Sequence, residues 1–246
     1  MIEAHDLTRS FGVRRRPATP LAGVSHVFGD GTLTYLLGLN GTGKSTLLRC
    51  LSGVLRPDAG TALVDGSELG RAAAPARHLG MHLDADAFHP GHSGRRHLRW
   101  LAAQAGVPAH AVEALLRRTG LEAVAERPVR GYSLGMRQRL GIASALVGNP
   151  RNVILDEPMN GLDVAGVLWL RGLLREWVDE GRCVIVASHN LAEVEATADE
   201  ILILEGGGIV ARGTVDEVRG PHADLESAFL AHVPRAAGAP RVREAA

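Results

Sequence analysis

The sequence predicts an α/β fold: a parallel sheet covered on both faces by helices, an antiparallel β portion at its start and a block of helices inserted within it. Three observations carry that expectation. Short apolar runs such as Val153-Ile154-Leu155 and Cys183 to Ala187 read as strands buried on both faces. These runs alternate with segments whose apolar residues recur at helical spacing, the order that builds βαβ units. One strand-to-helix junction, Gly38 to Ser45, carries the pattern G-x-x-x-x-G-K-[ST].

Taken in order, residues 1–32 predict antiparallel strands broken at Gly12, Pro17, Pro20 and Gly29-Asp30-Gly31. Leu33 to Leu37 is a buried strand. Thr46 to Ser52 is a helix through Leu47, Leu48 and Leu51, with Gly53 able to end it. After the turn Pro57-Asp58-Ala59-Gly60, Thr61 to Val64 and Leu79 to Leu83 are strands. Residues 94–147 are helical: His97, Leu98, Leu101 and Ala105 share one face, Val112, Leu115 and Leu116 another. A third helix runs from near Ser133 to Val147 and stops before Asn149-Pro150. The strand Val153 to Leu155 closes on Asp156-Glu157-Pro158. Residues 164–178 form an amphipathic helix stopped by Gly181. Cys183 to Ala187 is a strand, Leu191 to Ala198 a short helix, and Ile201 to Leu204 a strand leading into a Gly206-Gly207-Gly208 hairpin. Beyond about Pro234 the chain is Ala, Arg and Pro, a composition expected to be disordered.

The 246 residues, 46% hydrophobic, suffice for one large domain or two small ones with a real core. A net charge of zero gives no global basic signature for nucleic acid. The runs Arg14 to Arg16 and Arg95-Arg96 read as local solvated charge. Cys50 and Cys183 lie far apart in apolar segments and read as small buried side chains in a reducing compartment. No apolar run approaches the ~18 residues of a membrane span, and Met1 to Asp6 lacks a secretory pattern. The expectation is a soluble, cytosolic polypeptide; a role in transport then needs another chain in the bilayer.

The glycine-rich junction defines the chemistry. Glycines let the backbone curl so that successive amides point at an anion, and the helix that follows adds its positive end. Lys44 supplies a compact charge for β- and γ-phosphates, and Ser45 a hydroxyl for Mg²⁺. Lys44 is the only lysine in the chain, every other strong base being arginine. Asp156 ends a buried strand, and ligands of open α/β sheets bind at the carboxyl ends of strands. It is placed to hold Mg²⁺, and Glu157 to take a proton from an attacking water; the plainer reading is an acidic turn. His189 follows the next strand, where it is either a γ-phosphate contact or a surface residue.

This order of parts resembles the nucleotide-binding subunit of an ATP-binding cassette (ABC) transporter over about residues 2–220. Gly38, Leu39, Asn40, Gly41, Thr42, Gly43, Lys44, Ser45 and Thr46 match the Walker A loop, and Val153 to Glu157 the Walker B strand with its catalytic Glu. Asn160-Gly161-Leu162-Asp163 is similar to the D-loop and His189 to the switch histidine. Phe11 sits where the family stacks an aromatic on adenine, the plainer reading being core packing. Tyr132-Ser133-Leu134-Gly135-Met136-Arg137-Gln138-Arg139 resembles the family signature, in which Ser133 and Gly135 hold the positions that reach the γ-phosphate from a second subunit. Leu134 and Met136 replace its usual Gly and Gln. The family's Gln that touches Mg²⁺ aligns with Asp84, which is either a metal neighbour or a plain loop acid.

The resemblance implies a P-loop NTPase core with a parallel sheet, an antiparallel β subdomain and an inserted helical subdomain at about residues 85–148. The cassette would span residues 1–220, and residues 221–246 would hold a C-terminal helix remnant and tail. It further implies ATP and Mg²⁺ as ligands, a second cassette with a homodimer as the expected form, and a separate transmembrane permease subunit. The chain would sit peripherally on the cytoplasmic face of the membrane, its insert and residues 84–100 facing the permease, with no nucleic acid as partner. The segment Ala87-Phe88-His89-Pro90 and the altered signature resemble cassettes of bacterial antibiotic-resistance exporters, including those for peptide antibiotics. The alternatives are a soluble cassette protein acting on nucleic acid or ribosomes, and a small-molecule kinase.

Overall fold

In the computed structural model, which describes residues 1–12 and 18–233, alternation along the strands decides the architecture. The Arg14 to Arg16 run, Pro17 and the tail from Pro234 lie outside the described residues. The chain opens with β1 (Ile2–Phe11), β2 (Ala18–Phe28) and β3 (Thr32–Leu37). Next come α1 (Lys44–Leu51), β4 (Ala59–Val64), α2 (Pro75–His78) and β5 (Leu79–His82). The helical block holds α3 (Gly94–Gln104), α4 (His110–Arg118) and α5 (Leu134–Leu146). It returns through β6 (Asn152–Asp156), α6 (Val164–Asp179), β7 (Cys183–Ala187), α7 (Leu191–Thr197) and β8 (Glu200–Glu205). The described residues end in β9 (Gly208–Gly213), α8 (Val215–Arg219) and α9 (Leu225–His232).

Two sheets form. The smaller is antiparallel, in the order β2-β1-β4; the larger runs β5-β6-β7-β3-β8-β9. Every pairing in the larger sheet is parallel except the β8–β9 hairpin at its edge. The sequence suggested a break at Pro20, but β2 runs through it. It can do so because β2 is an edge strand, where a missing N–H removes no ladder bond from an outer neighbour.

Successive residues of a strand face opposite sides, and the core divides accordingly. Leu33, Tyr35, Leu37, Val153, Leu155, Val184, Val186, Ile201 and Ile203 share one apolar cluster with α6. Leu36, Ile154, Ile185, Ala187, Leu202 and Leu204 share another with α1 and the antiparallel sheet. Cys50 and Cys183 are free thiols in this second cluster. Leu225, Phe229 and Val233 belong to the first cluster, so the C-terminal helix α9 packs on the same core as Trp177.

The helical block has a third cluster of its own, including Leu98, Ala102, Val112, Leu116, Tyr132 and Leu140. One helix serves two cores. Leu140, Ala143 and Val147 of the α5 segment pack into the block, whereas Ile142 and Leu146 pack against the sheet. Its N-terminus is capped by Ser133, whose hydroxyl accepts from the Met136 amide at 3.2 Å. It lies so close to β5 that a Cβ at Gly80 would stand 2.1 Å from the Ala145 carbonyl oxygen and 2.9 Å from the Pro150 ring.

That contact yields a test. Gly80→Ala is expected to push α5 off the sheet and to cost about 2 kcal/mol, a fall of roughly 4–8 °C in Tm for a domain of this size. Thermal unfolding of the two chains side by side measures it; an unchanged Tm would show that α5 moves away freely.

Candidate active site

Register brings the site together. Asp156, the last residue of β6, lies opposite Ala187, the last of β7, and Ala187 lies opposite Leu36 of β3. Three parallel strands therefore end at one edge. Their following residues are the glycine-rich loop after β3, Glu157 after β6 and Ser188-His189 after β7.

The loop is built for close approach. Gly38, Gly41 and Gly43 have φ of 156°, 86° and 108°. A Cβ on Gly38 would meet the Thr42 hydroxyl at 2.4 Å and the Leu204 carbonyl at 2.6 Å, and one on Gly43 the Pro20 carbonyl at 2.2 Å. Only glycine fits both positions. Lys44, 7% exposed, opens α1 and turns its ammonium back into the loop, donating to the carbonyls of Gly38 (2.6 Å) and Leu39 (3.1 Å). Burial pushes this ammonium below the ordinary lysine range, and the facing carboxylates of Glu157 and Asp156 only partly restore it.

Glu157 is a non-glycine residue at φ 48°. Its amide donates to the Ala187 carbonyl (3.0 Å), its own carbonyl accepts from Asn160 (3.2 Å), and its carboxylate lies 2.8 Å from His189 Nδ1. These groups line a recess of 410 Å³ with Gly38, Leu39, Asn40 and Ser188. On the other side of the loop, a recess of 640 Å³ is lined by Phe11, Thr19, Pro20, Asn40, Gly41, Thr42, Thr46 and the 205–207 turn. The Phe11 ring is 42% exposed and carries the Arg9 guanidinium 4.9 Å from its centre.

The remaining candidates lie elsewhere. Ser133 caps α5, and Gly135 in its first turn lies against the 160–163 loop: a Cβ on Gly135 would stand 2.8 Å from the Gly161 carbonyl. Asp163 caps α6, accepting from Gly166 at 2.7 Å. None of these three lines either recess. Asp84 accepts from the Asp86 amide at 2.8 Å and lines a third recess of 650 Å³, bounded by α2, β5, α3 and α5. Apolar side chains dominate there, and Met81 and Trp100 are 41% and 53% exposed.

Sequence reading missed two buried polar side chains, His82 and Gln138, which are bonded to each other at 2.5 Å. Gln138 stood in view only as a member of a motif, and His82 only as a strand residue. The available signal was a polar side chain on an otherwise apolar face.

The comparisons with known proteins agree on one family. A family model described as ABC transporter matches residues 21–160. The lantibiotic transport ATP-binding protein SrtF of Streptococcus pyogenes is 34% identical over 216 residues, covering 88% of this chain and 92% of that protein. The daunorubicin resistance ATP-binding protein DrrA3 of Streptomyces coeruleorubidus is 36% identical over 194 residues, 77% of this chain and 61% of its own length. Among solved structures, an ATP-binding subunit of an ABC transporter superposes with a TM-score of 0.84 at 27% identity, covering 94% of this chain and 99% of that one. The dimeric MJ0796 cassette has a TM-score of 0.80 at 20% identity, covering 87% and 98%, a likeness of fold.

The loop geometry makes its own prediction. Gly43→Ala should weaken ATP binding on the order of tenfold or more, because the loop must shift away from Pro20 and leave its φ. Equilibrium titration with ATP, beside an unchanged far-UV spectrum, measures it; wild-type affinity would show that the loop tolerates a side chain.

Proposed function

Because the chain belongs to the ABC transporter family of ATP-binding subunits, we propose that it hydrolyses ATP to power export of an antibiotic, drug or hydrophobic peptide through a separate membrane subunit. The observation that carries the reading is the convergence of the Lys44 loop, Asp156-Glu157 and His189 at one sheet edge.

The residues divide the work by their chemistry. Lys44 exchanges its two loop carbonyls for β- and γ-phosphate oxygens, while the loop amides and the start of α1 supply further positive partial charge. Phe11 offers a half-open aromatic face in the 640 Å³ recess beside the loop, suited to adenine. Ser45 and Asp156 are hard oxygen donors, the type that Mg²⁺ prefers. Among the described residues no three or more His, Cys, Asp or Glu side chains gather into a metal cluster. A magnesium ion that leans on phosphate oxygens and water requires none. When bound, Mg²⁺ neutralises charge on the terminal phosphates. Glu157 aligns the attacking water and accepts its proton, and His189, bonded to that carboxylate, stands beside the transferring group.

The positions of Ser133, Gly135 and Asp163 outside both recesses support completion of the site by a second cassette, a homodimer in the simplest case. The tip of α5 then brings an amide-rich helix end to the γ-phosphate of the opposite subunit. The apolar recess beside α3 and the exposed Trp100 support a docking place for an apolar segment of the membrane subunit. No helix of the described residues is long and apolar enough to cross a membrane. With a separate membrane subunit as partner, the proposed place of the chain is peripheral, on the cytoplasmic side. For the cargo, support comes from the relatives named for lantibiotic transport and daunorubicin resistance. Asp84, two residues past His82 on the chain leaving β5, is proposed as the outer member of the Mg²⁺ set.

Glu157→Gln is expected to lower ATP turnover on the order of 10²-fold or more while ATP binding persists; near-normal phosphate release in that variant would remove Glu157 from the role. Asp84→Asn and Asp84→Ala should both shift the Mg²⁺ dependence of turnover to higher concentration, and superimposable curves would make Asp84 a plain loop acid.

A further inference from the structure

A buried hydrogen-bond chain joins the apolar recess to the backbone of Glu157. His82 ends β5 and lines that recess, yet it is only 4% exposed. Its Nε2 lies 2.5 Å from Oε1 of Gln138, which is equally buried on α5. The Gln138 Nε2 donates to the Glu157 carbonyl oxygen at 3.3 Å. The proton positions follow from the partners. A backbone carbonyl only accepts, so the amide nitrogen of Gln138 must face it. The amide oxygen then faces His82, whose Nε2 must carry a hydrogen.

The surroundings are shaped to this pair. Gly141 lies on the same face of α5 as Gln138, and a Cβ there would come within 2.2 Å of the His82 ring. Glycine at that position makes room for the imidazole. At the other end, Glu157 holds a left-handed backbone that glutamate seldom adopts. Such a conformation persists only where its neighbours over-determine it. Here the Ala187 carbonyl, the Asn160 amide and the Gln138 side chain do so. The direction in which the Glu157 carboxylate leaves the backbone depends on that conformation.

We propose that His82 and Gln138 are positioning residues for ATP hydrolysis, holding the left-handed backbone of Glu157 and tying it to the recess where the membrane subunit docks. The proposal rests on the assignment of Glu157 as the acid that handles the attacking water. Neither side chain lines the two recesses at the glycine-rich loop, so both act through Glu157. A segment seated in the recess would press on the His82 ring and, through one amide, on the acid.

The test measures steady-state ATP turnover and ATP affinity of the full chain in five forms: wild type, His82→Phe, His82→Gln, Gln138→Met and the double variant His82→Phe/Gln138→Met. His82→Phe keeps a ring against Gly141 but lacks the donor, and Gln138→Met keeps the length but not the amide. Each should lower kcat about tenfold with KM for ATP within about twofold, because the phosphate grip is untouched. His82→Gln, which retains an N–H, should recover most of the rate. The double variant should be no slower than the slower single, since one chain is broken once. Wild-type kcat in both singles, a loss confined to KM, no rescue by His82→Gln, or additive losses would each overturn the proposal. Should His82→Phe not fold, Gln138→Met carries the same test alone. Failure of the wider reading looks different: Glu157→Gln then turns over ATP at the wild-type rate, and this inference falls with it.

Discussion

The in-register parallel pairing of β6, β7 and β3 is the constraint on which the rest of the molecule depends. It alone brings residues that are far apart in the chain to one edge: a lysine near position 44, an Asp-Glu pair near 156 and a histidine at 189. The register is enforced by burial. Alternate residues of each strand belong to two different apolar clusters on opposite faces. A slip of one residue would exchange those faces and move Asp156 away from Ala187 at the same time. Core packing and chemical geometry are therefore set by the same contacts.

The helix α5 is the second organising element. It closes the helical block on one side and the sheet on the other. Its first residue past the cap lies against Gly161, its second turn carries Gln138 toward Glu157, and its far end presses on β5 at Gly80. It shares the tie between block and sheet with Arg77, which donates to the Ala105 and Gly106 carbonyls, and with Trp169, which donates to the Arg118 carbonyl. The apolar recess has α5 as one wall, so a partner seated there would touch the helix that starts at Ser133.

Much of this was legible in the sequence because local rules govern it. The glycine-rich loop, the strand Asn152–Asp156 and the helix start at Ser133 each carry a pattern that works within a few residues: glycine freedom, an apolar run, a capping hydroxyl. The order of strands and helices followed from periodicity. What escaped depends on long-range geometry. His82 and Gln138 are 56 residues apart, and nothing in either neighbourhood announces the other. The left-handed backbone at Glu157 was hidden because the residue is not glycine. The persistence of β2 through Pro20 could be understood only once the strand was seen at an edge. The apolar recess is a property of four elements together, and Asp84 joins its lining through the path of the chain after β5.

The solitary Lys44 has a practical corollary. An acylating reagent offered to the folded chain meets a single side-chain amine, sunk in the glycine cradle and bonded to that loop's own carbonyls. Attachment chemistry that needs a free surface lysine finds no such handle on this molecule. Any ligand that fills the cradle shields the amine further. The rate at which a small amine-directed label enters at Lys44, read separately from the α-amine of Met1, is thus a built-in gauge of cradle occupancy.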